Sequence, residues 1–184
     1  MLLWIILGLI VLFVVGIIIY YWNKIIGLTN KIENSWAQID VQLKKRADLV
    51  PNLVETVKGY AKHEKEVFMM VTKARSAILG AQGVEQKAEA NNMLTGALKS
   101  LFAVAEAYPD LKANEQFKLF QEQLEGIENK IAYARQFYND SVLGYNNTIQ
   151  MFPGRIFAGM MGKVKKPYFE VTEEEKKLPK VQFT

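Results

Sequence analysis

From Leu2 to Trp22 the chain carries no charged side chain. The run of Leu, Ile, Val, Phe and Gly is about twenty residues long, which matches the hydrocarbon thickness of a bilayer. It is apolar on every face, so it is not the amphipathic helix of a water-soluble domain. Trp4 lies near one end, and Tyr20, Tyr21 and Trp22 cluster at the other, where amphipathic rings favour the headgroup level. Lys24 follows as a snorkelling anchor. A cleaved signal peptide fits poorly, because no basic region precedes the run and bulky aromatics stand where small residues would mark cleavage. The run therefore predicts a retained transmembrane anchor over residues 1–23.

Lys24, Lys31, Lys44, Lys45 and Arg46 follow the span, so the positive-inside rule places the domain after it in the cytoplasm. Gly8 and Gly16 do not form a GxxxG spacing, which gives span dimerisation little support. The 50% apolar content is concentrated in the span, and the remainder has the composition of a globular domain. Cysteine is absent, which excludes a disulfide framework, a thiolate nucleophile and a lipid-accepting Cys. The net charge of +4 is spread over lysines interleaved with acids, without the clustered basic and aromatic pattern of a nucleic-acid binder.

Beyond the span the apolar spacing is helical. Ile25, Leu28, Ile32, Trp36, Ile39 and Leu43 form one stripe. Pro51 lacks an N–H and pushes its predecessor out of the α region, which predicts a helix boundary there, with a kink in one long helix as the alternative. A second helix would bury Val54, Val57, Ala61, Phe68, Val71 and Ile78, ending at Gly80 and Gly83. A third carries Leu94, Leu98, Leu101, Ala105 and Tyr108 and stops at Pro109. The fourth is a sustained heptad seam from Phe117 through Phe120, Leu124, Ile127, Ile131, Ala134, Tyr138, Ser141, Tyr145 and Thr148, with Asn114 as N-cap and Pro153-Gly154 as stop. The expected fold is all-α: one transmembrane helix, then an up-and-down four-helix bundle over residues 24–152. Residues 153–184 read as an apolar and basic interfacial segment followed by an extended tail, which contains a charged turn at Thr172–Lys177 and is ordered only by contact with something else.

The stretch from Asn34 through Trp36, Asp40, Arg46, Asp48, Pro51, Asn52, Gly59 and Tyr60 to His63-Glu64 resembles the signature of the LemA family. Ala107-Tyr108-Pro109-Asp110, Ile131-Ala132-Tyr133-Ala134-Arg135-Gln136-Phe137-Tyr138-Asn139, Tyr145-Asn146, Phe152-Pro153 and Tyr168-Phe169-Glu170 resemble it too. The resemblance covers nearly the whole chain. It implies a bacterial single-pass membrane protein with a four-helix bundle, and it implies no established activity.

Candidate chemistry is sparse. His63-Glu64 lacks the second histidine of a zincin, since Val67 stands at that position. A di-metal bundle needs Glu-x-x-His pairs, whereas Tyr60 precedes His63 by three and there is no second histidine. Glu125 and Glu128 could share one helix face as an acid/base pair. The more economical reading is a bundle-edge carboxylate paired with Arg75, Arg135 or a lysine. Asp40, Arg46, Asp48 and Asn52 suggest either a recognition site or groups that cap helix ends around Pro51, and the second reading is the simpler. No phosphate loop, nucleophile elbow or Rossmann fingerprint occurs.

The sequence thus predicts a non-catalytic, membrane-anchored scaffold that self-associates, with no cofactor or metal and no nucleic-acid partner. An adaptor subunit docking a membrane enzyme or protease is the alternative, and a ligand-sensing bundle ranks below it. Trp4, Tyr20, Tyr21, Trp22 and Lys24 are the expected anchor residues. Phe152, Arg155, Phe157, Met160, Met161 and Lys163 are the candidate contact with lipid or a neighbouring subunit.

Overall fold

A computed structural model of the chain describes residues 1–170. The charged turn expected at Thr172–Lys177 and the closing residues 179–184 lie outside the described residues. Among the described residues there are six helices and no strand: α1 (Leu2–Lys58), α2 (Lys65–Gly80), α3 (Gly83–Glu106), α4 (Pro109–Ala113), α5 (Glu115–Gln150) and α6 (Gly154–Met160). The expected four-helix count is too low because two prolines each start a further short helix. Pro109 opens α4 at its first turn, and Pro153 directly precedes α6.

The boundary expected at Pro51 is also corrected. α1 runs through Pro51 and ends at Lys58, and the break before α2 falls at Gly59–Glu64. A helical proline deprives the carbonyl four residues earlier of its donor. Here that carbonyl belongs to Ala47, a fully buried residue, and the Arg75 Nε–H donates to it at 3.0 Å. A side chain from α2 thus makes the bond that the backbone of α1 cannot make.

The chain divides into two compact units. The first comprises Met1–Ala37 and Gln136–Tyr168. Residues 2–20 are solvent-exposed apart from half-buried Ile17, and burial begins at Ile25. From there α1 runs antiparallel to the end of α5. Leu28 lies against Gly144, and the Trp36 and Tyr138 rings are 5.8 Å apart. Ile25, Ile32, Tyr138, Val142, Tyr145 and Ile149 form this unit's core. Ser35 and Ser141 are buried among them, and their hydroxyls donate to carbonyls of their own helices, so no bare polar group is left.

The second unit comprises Gln38–Arg135 and, among the described residues, also Phe169 and Glu170. Ile39, Leu43, Val50, Leu53 and Val57 of α1 are buried, as are Phe68, Val71 and Ile78 of α2 and Leu94, Leu98 and Leu101 of α3. α5 supplies Phe117, Leu124 and Ile131, and α4 adds Leu111. Each side chain of this size contributes about 1.5–3 kcal/mol by leaving water. Most of the expected core positions are buried, whereas Leu28, Trp36, Tyr108, Ile127 and Thr148 are only half-buried, and Val54, Val57 and Ala61 belong to α1 and the turn after it rather than to α2. Asn114 is the N-cap of α5, its Oδ1 accepting from the Phe117 N–H at 2.9 Å. Its Nδ2 donates to the Tyr60 hydroxyl at 3.0 Å, which ties the start of α5 to the turn that closes α1.

Candidate functional site

Two regions carry the residues singled out by the sequence. The first is the end of the apolar stretch, in the first unit. Trp4 is 73% exposed, and Tyr20 and Trp22 are exposed as well. The Lys24 ammonium stands 5.6 Å from the Tyr20 ring centroid and 5.8 Å from that of Tyr21. Placing the cation on these ring faces keeps its head at the polar end of the apolar run.

Tyr21 is turned inward. Its ring stacks on Phe157 of α6, with centroids 5.7 Å apart and planes inclined by 15°. Of the candidate contact residues, Phe157 is thus buried, and Met161 and Lys163 are half-buried. Phe152, Arg155 and Met160 are exposed, together with Met151 and Ile156. The turn into α6 requires a glycine, since a Cβ on Gly154 would lie 2.1 Å from the Thr148 carbonyl oxygen.

The described part of the segment after α6 is not helical and is held against α5 of the same chain rather than ordered only by contact with something else. The Tyr145 hydroxyl donates to the Val164 carbonyl at 3.1 Å and the Tyr138 hydroxyl to the Pro167 carbonyl at 3.0 Å. Asn146 makes a reciprocal pair with Lys166, accepting its N–H at 2.9 Å and donating to its carbonyl at 3.0 Å. These four bonds clamp residues 164–167 along α5. Burial raises the pKa of both tyrosines above the ordinary phenol value. Sequence reasoning took Tyr138 and Tyr145 as core rings and did not assign their hydroxyls. The available signal was a pair of tyrosines seven apart on an apolar seam with Asn146 alongside, because buried polar tips need partners.

The second region lies in the second unit. Arg46 is 5% exposed. Its guanidinium donates through Nη1 to Asn91 Oδ1 at 2.8 Å and to Thr95 Oγ1 at 3.0 Å, while Nη2 faces Glu128 Oε2 at 2.8 Å. Arg46 is therefore a core residue joining α1, α3 and α5. The reading of Arg46 as a capping group of a Pro51 turn is corrected, because α1 continues there and offers no free helix ends. The expected partner of Glu128 is corrected likewise: it is Arg46. Asp40 pairs with Lys87, and Asp48 and Asn52 are exposed. His63 is exposed. Among the described residues no group of three or more His, Cys, Asp or Glu is placed to hold a metal ion. A solvent-open cleft of about 510 Å³ is lined by Lys45, Asp48 and Leu49 of α1 and by Gln123, Gly126, Ile127 and Lys130 of α5.

Fold and site together define an all-helical protein whose N-terminal apolar helix is long enough to cross a membrane, with 18 residues of mean hydropathy 3.3 and no burial in the structure. The model of the LemA family matches residues 35–183, and the chain belongs to that family. It is similar to Protein LemA of Metamycoplasma hominis, 25% identical over 178 residues that cover 91% of this chain and 80% of that protein. It is also similar to Magnetosome protein MamQ 2 of Paramagnetospirillum magneticum, 22% identical over 187 residues covering 88% of this chain and 68% of that one. Magnetosome protein MamQ of Magnetospirillum gryphiswaldense is 23% identical over 174 residues, covering 80% and 64%.

Proposed function

We propose that this protein is a single-pass, membrane-anchored, non-catalytic scaffold that self-associates, with its helical domain in the cytoplasm. The observation that carries this reading is the start of α1: the stretch from Leu2 is uncharged and exposed, with a mean hydropathy of 3.3 over 18 residues and no burial. A stretch of that length and composition suits an anchor that keeps the chain at a bilayer, as a positioning role requires. Relatives named magnetosome proteins accord with work at an assembly rather than in solution.

A second reading, an adaptor for another membrane protein, draws on α2. That helix exposes Met69, Met70 and Leu79. Exposed methionines adapt to varied partner surfaces.

Purification in mild detergent with native mass measurement tests both. A defined multiple of the chain mass supports the scaffold, and a monomer overturns self-association. A second protein held at fixed stoichiometry replaces the scaffold with the adaptor. Orientation is read in the same preparation series. The chain has no cysteine, so Glu85→Cys gives a single exposed thiol. It should resist a membrane-impermeant maleimide in intact cells and react after lysis. Labelling in intact cells would overturn the cytoplasmic placement.

A further inference from the structure

We infer that α6 and the basic residues around it form a second membrane contact, docking on the anionic headgroup surface of the bilayer that α1 enters. The inference rests on the anchor reading above.

Depth is the first argument. Tyr21 belongs to the aromatic cluster Tyr20–Trp22 that ends the apolar run, where the chain leaves the hydrocarbon. Phe157 stacks on that ring, which places α6 at headgroup level within the first unit. The stack uses one face of α6, burying Phe157 and Ala158. Phe152, Ile156 and Met160 are left 84%, 54% and 70% exposed. Apolar side chains directed outward at that depth meet the boundary between headgroups and acyl chains.

Charge is the second argument. The first unit holds six cationic side chains, Lys24, Lys31, Arg155, Lys163, Lys165 and Lys166, and two carboxylates, Glu33 and Asp140. Its excess of four equals the net charge of the whole chain, so the remainder is balanced. Of the four cations after α5, Arg155 lies in α6, and Lys163, Lys165 and Lys166 are held near the bilayer by the clamp. Val164 and Lys166 are fixed to Tyr145 and Asn146, next to Gly144, which lies against Leu28. Leu28 is about 9 Å along the helix from Trp22 at 1.5 Å per residue. That is close to one Debye length at physiological salt, within which a basic residue senses an anionic leaflet. An apolar face with flanking cations at headgroup depth fits an anionic lipid surface better than a second protein copy, which would repel an identical basic unit.

The test places one cysteine at a time in the full-length protein, at Ile156 and at Leu9 in the span. Each is labelled with an environment-sensitive fluorophore and reconstituted into vesicles containing brominated lipid, either purely zwitterionic or with anionic lipid added. The Leu9 label should be quenched in both vesicles. The Ile156 label should be quenched in anionic vesicles at least about twofold more than in zwitterionic ones. Replacing Arg155, Lys163, Lys165 and Lys166 by Gln should remove that difference. An unquenched Ile156 label beside a quenched Leu9 label overturns the contact and leaves the anchor intact. An unquenched Leu9 label overturns the anchor itself. Equal Ile156 quenching in both vesicles overturns the anionic preference, and disulfide linkage between copies through Ile156→Cys assigns the face to a second copy instead.

Discussion

Arg75 makes the hydrogen bond that Pro51 withholds. The Ala47 carbonyl, four residues before the proline, accepts from Arg75 Nε at 3.0 Å, so a residue 28 positions downstream repairs the ladder of α1. Arg75→Ala should leave a buried acceptor bare and cost about 1–3 kcal/mol. Pro51→Ala restores the backbone N–H, and in that background Arg75→Ala should cost clearly less. Unfolding of the four proteins of this cycle in detergent measures the coupling, expected at about 0.5–3 kcal/mol. Additive effects would show that the two residues act independently.

The Arg46 node yields a second expectation. Arg46→Ala strands Glu128 and leaves Asn91 and Thr95 without their donor. The loss should approach about 3 kcal/mol, the low end for a broken buried pair, because the Glu128 side chain retains 37% of its exposure. Arg46→Met keeps the stem's packing and should cost less. Thermal melts of the two variants check the order. Equal melting of Arg46→Ala and the parent protein would remove the node from the list of stabilising features.

The tyrosine clamp predicts alkaline sensitivity. Burial raises the pKa of Tyr138 and Tyr145, so the folded state favours the neutral phenol. The stability tied to that preference is fully present below the unfolded value, about 10, and is lost as pH rises through the raised folded values. Ionisation also removes the donors to Pro167 and Val164. Above about pH 10 the Lys166 amide, bonded to Asn146 in the folded chain, should lose protection from hydrogen exchange relative to amides in the middle of α5. Tyr138→Phe with Tyr145→Phe should lower that protection already at neutral pH, by about 1 kcal/mol per lost bond, and flatten the alkaline loss. A Lys166 amide unaffected by the double change would mean that Asn146 alone holds the segment.

The apolar run from Leu2 to Trp22, the helical class, and the buried stripes on α1, α2, α3 and α5 are local properties, and the sequence by itself determined them. So was the N-cap at Asn114, because spacing, side-chain chemistry and the following acidic residue all act within one turn. What the tertiary structure decided are the features whose partners lie far away in the chain. Pro51 reads as a boundary until Arg75 is brought to the Ala47 carbonyl. Arg46 reads as one of several polar groups near a turn until α3 and α5 supply Asn91, Thr95 and Glu128. Phe157 reads as an exposed contact residue until Tyr21 stacks on it, and the hydroxyls of Tyr138 and Tyr145 have no visible role until residues 164–167 return along α5. In each case a backbone or side-chain polar group, or an aromatic face, is left incomplete by its neighbours in sequence. Folding completes it with a group whose position only the packing of helices fixes.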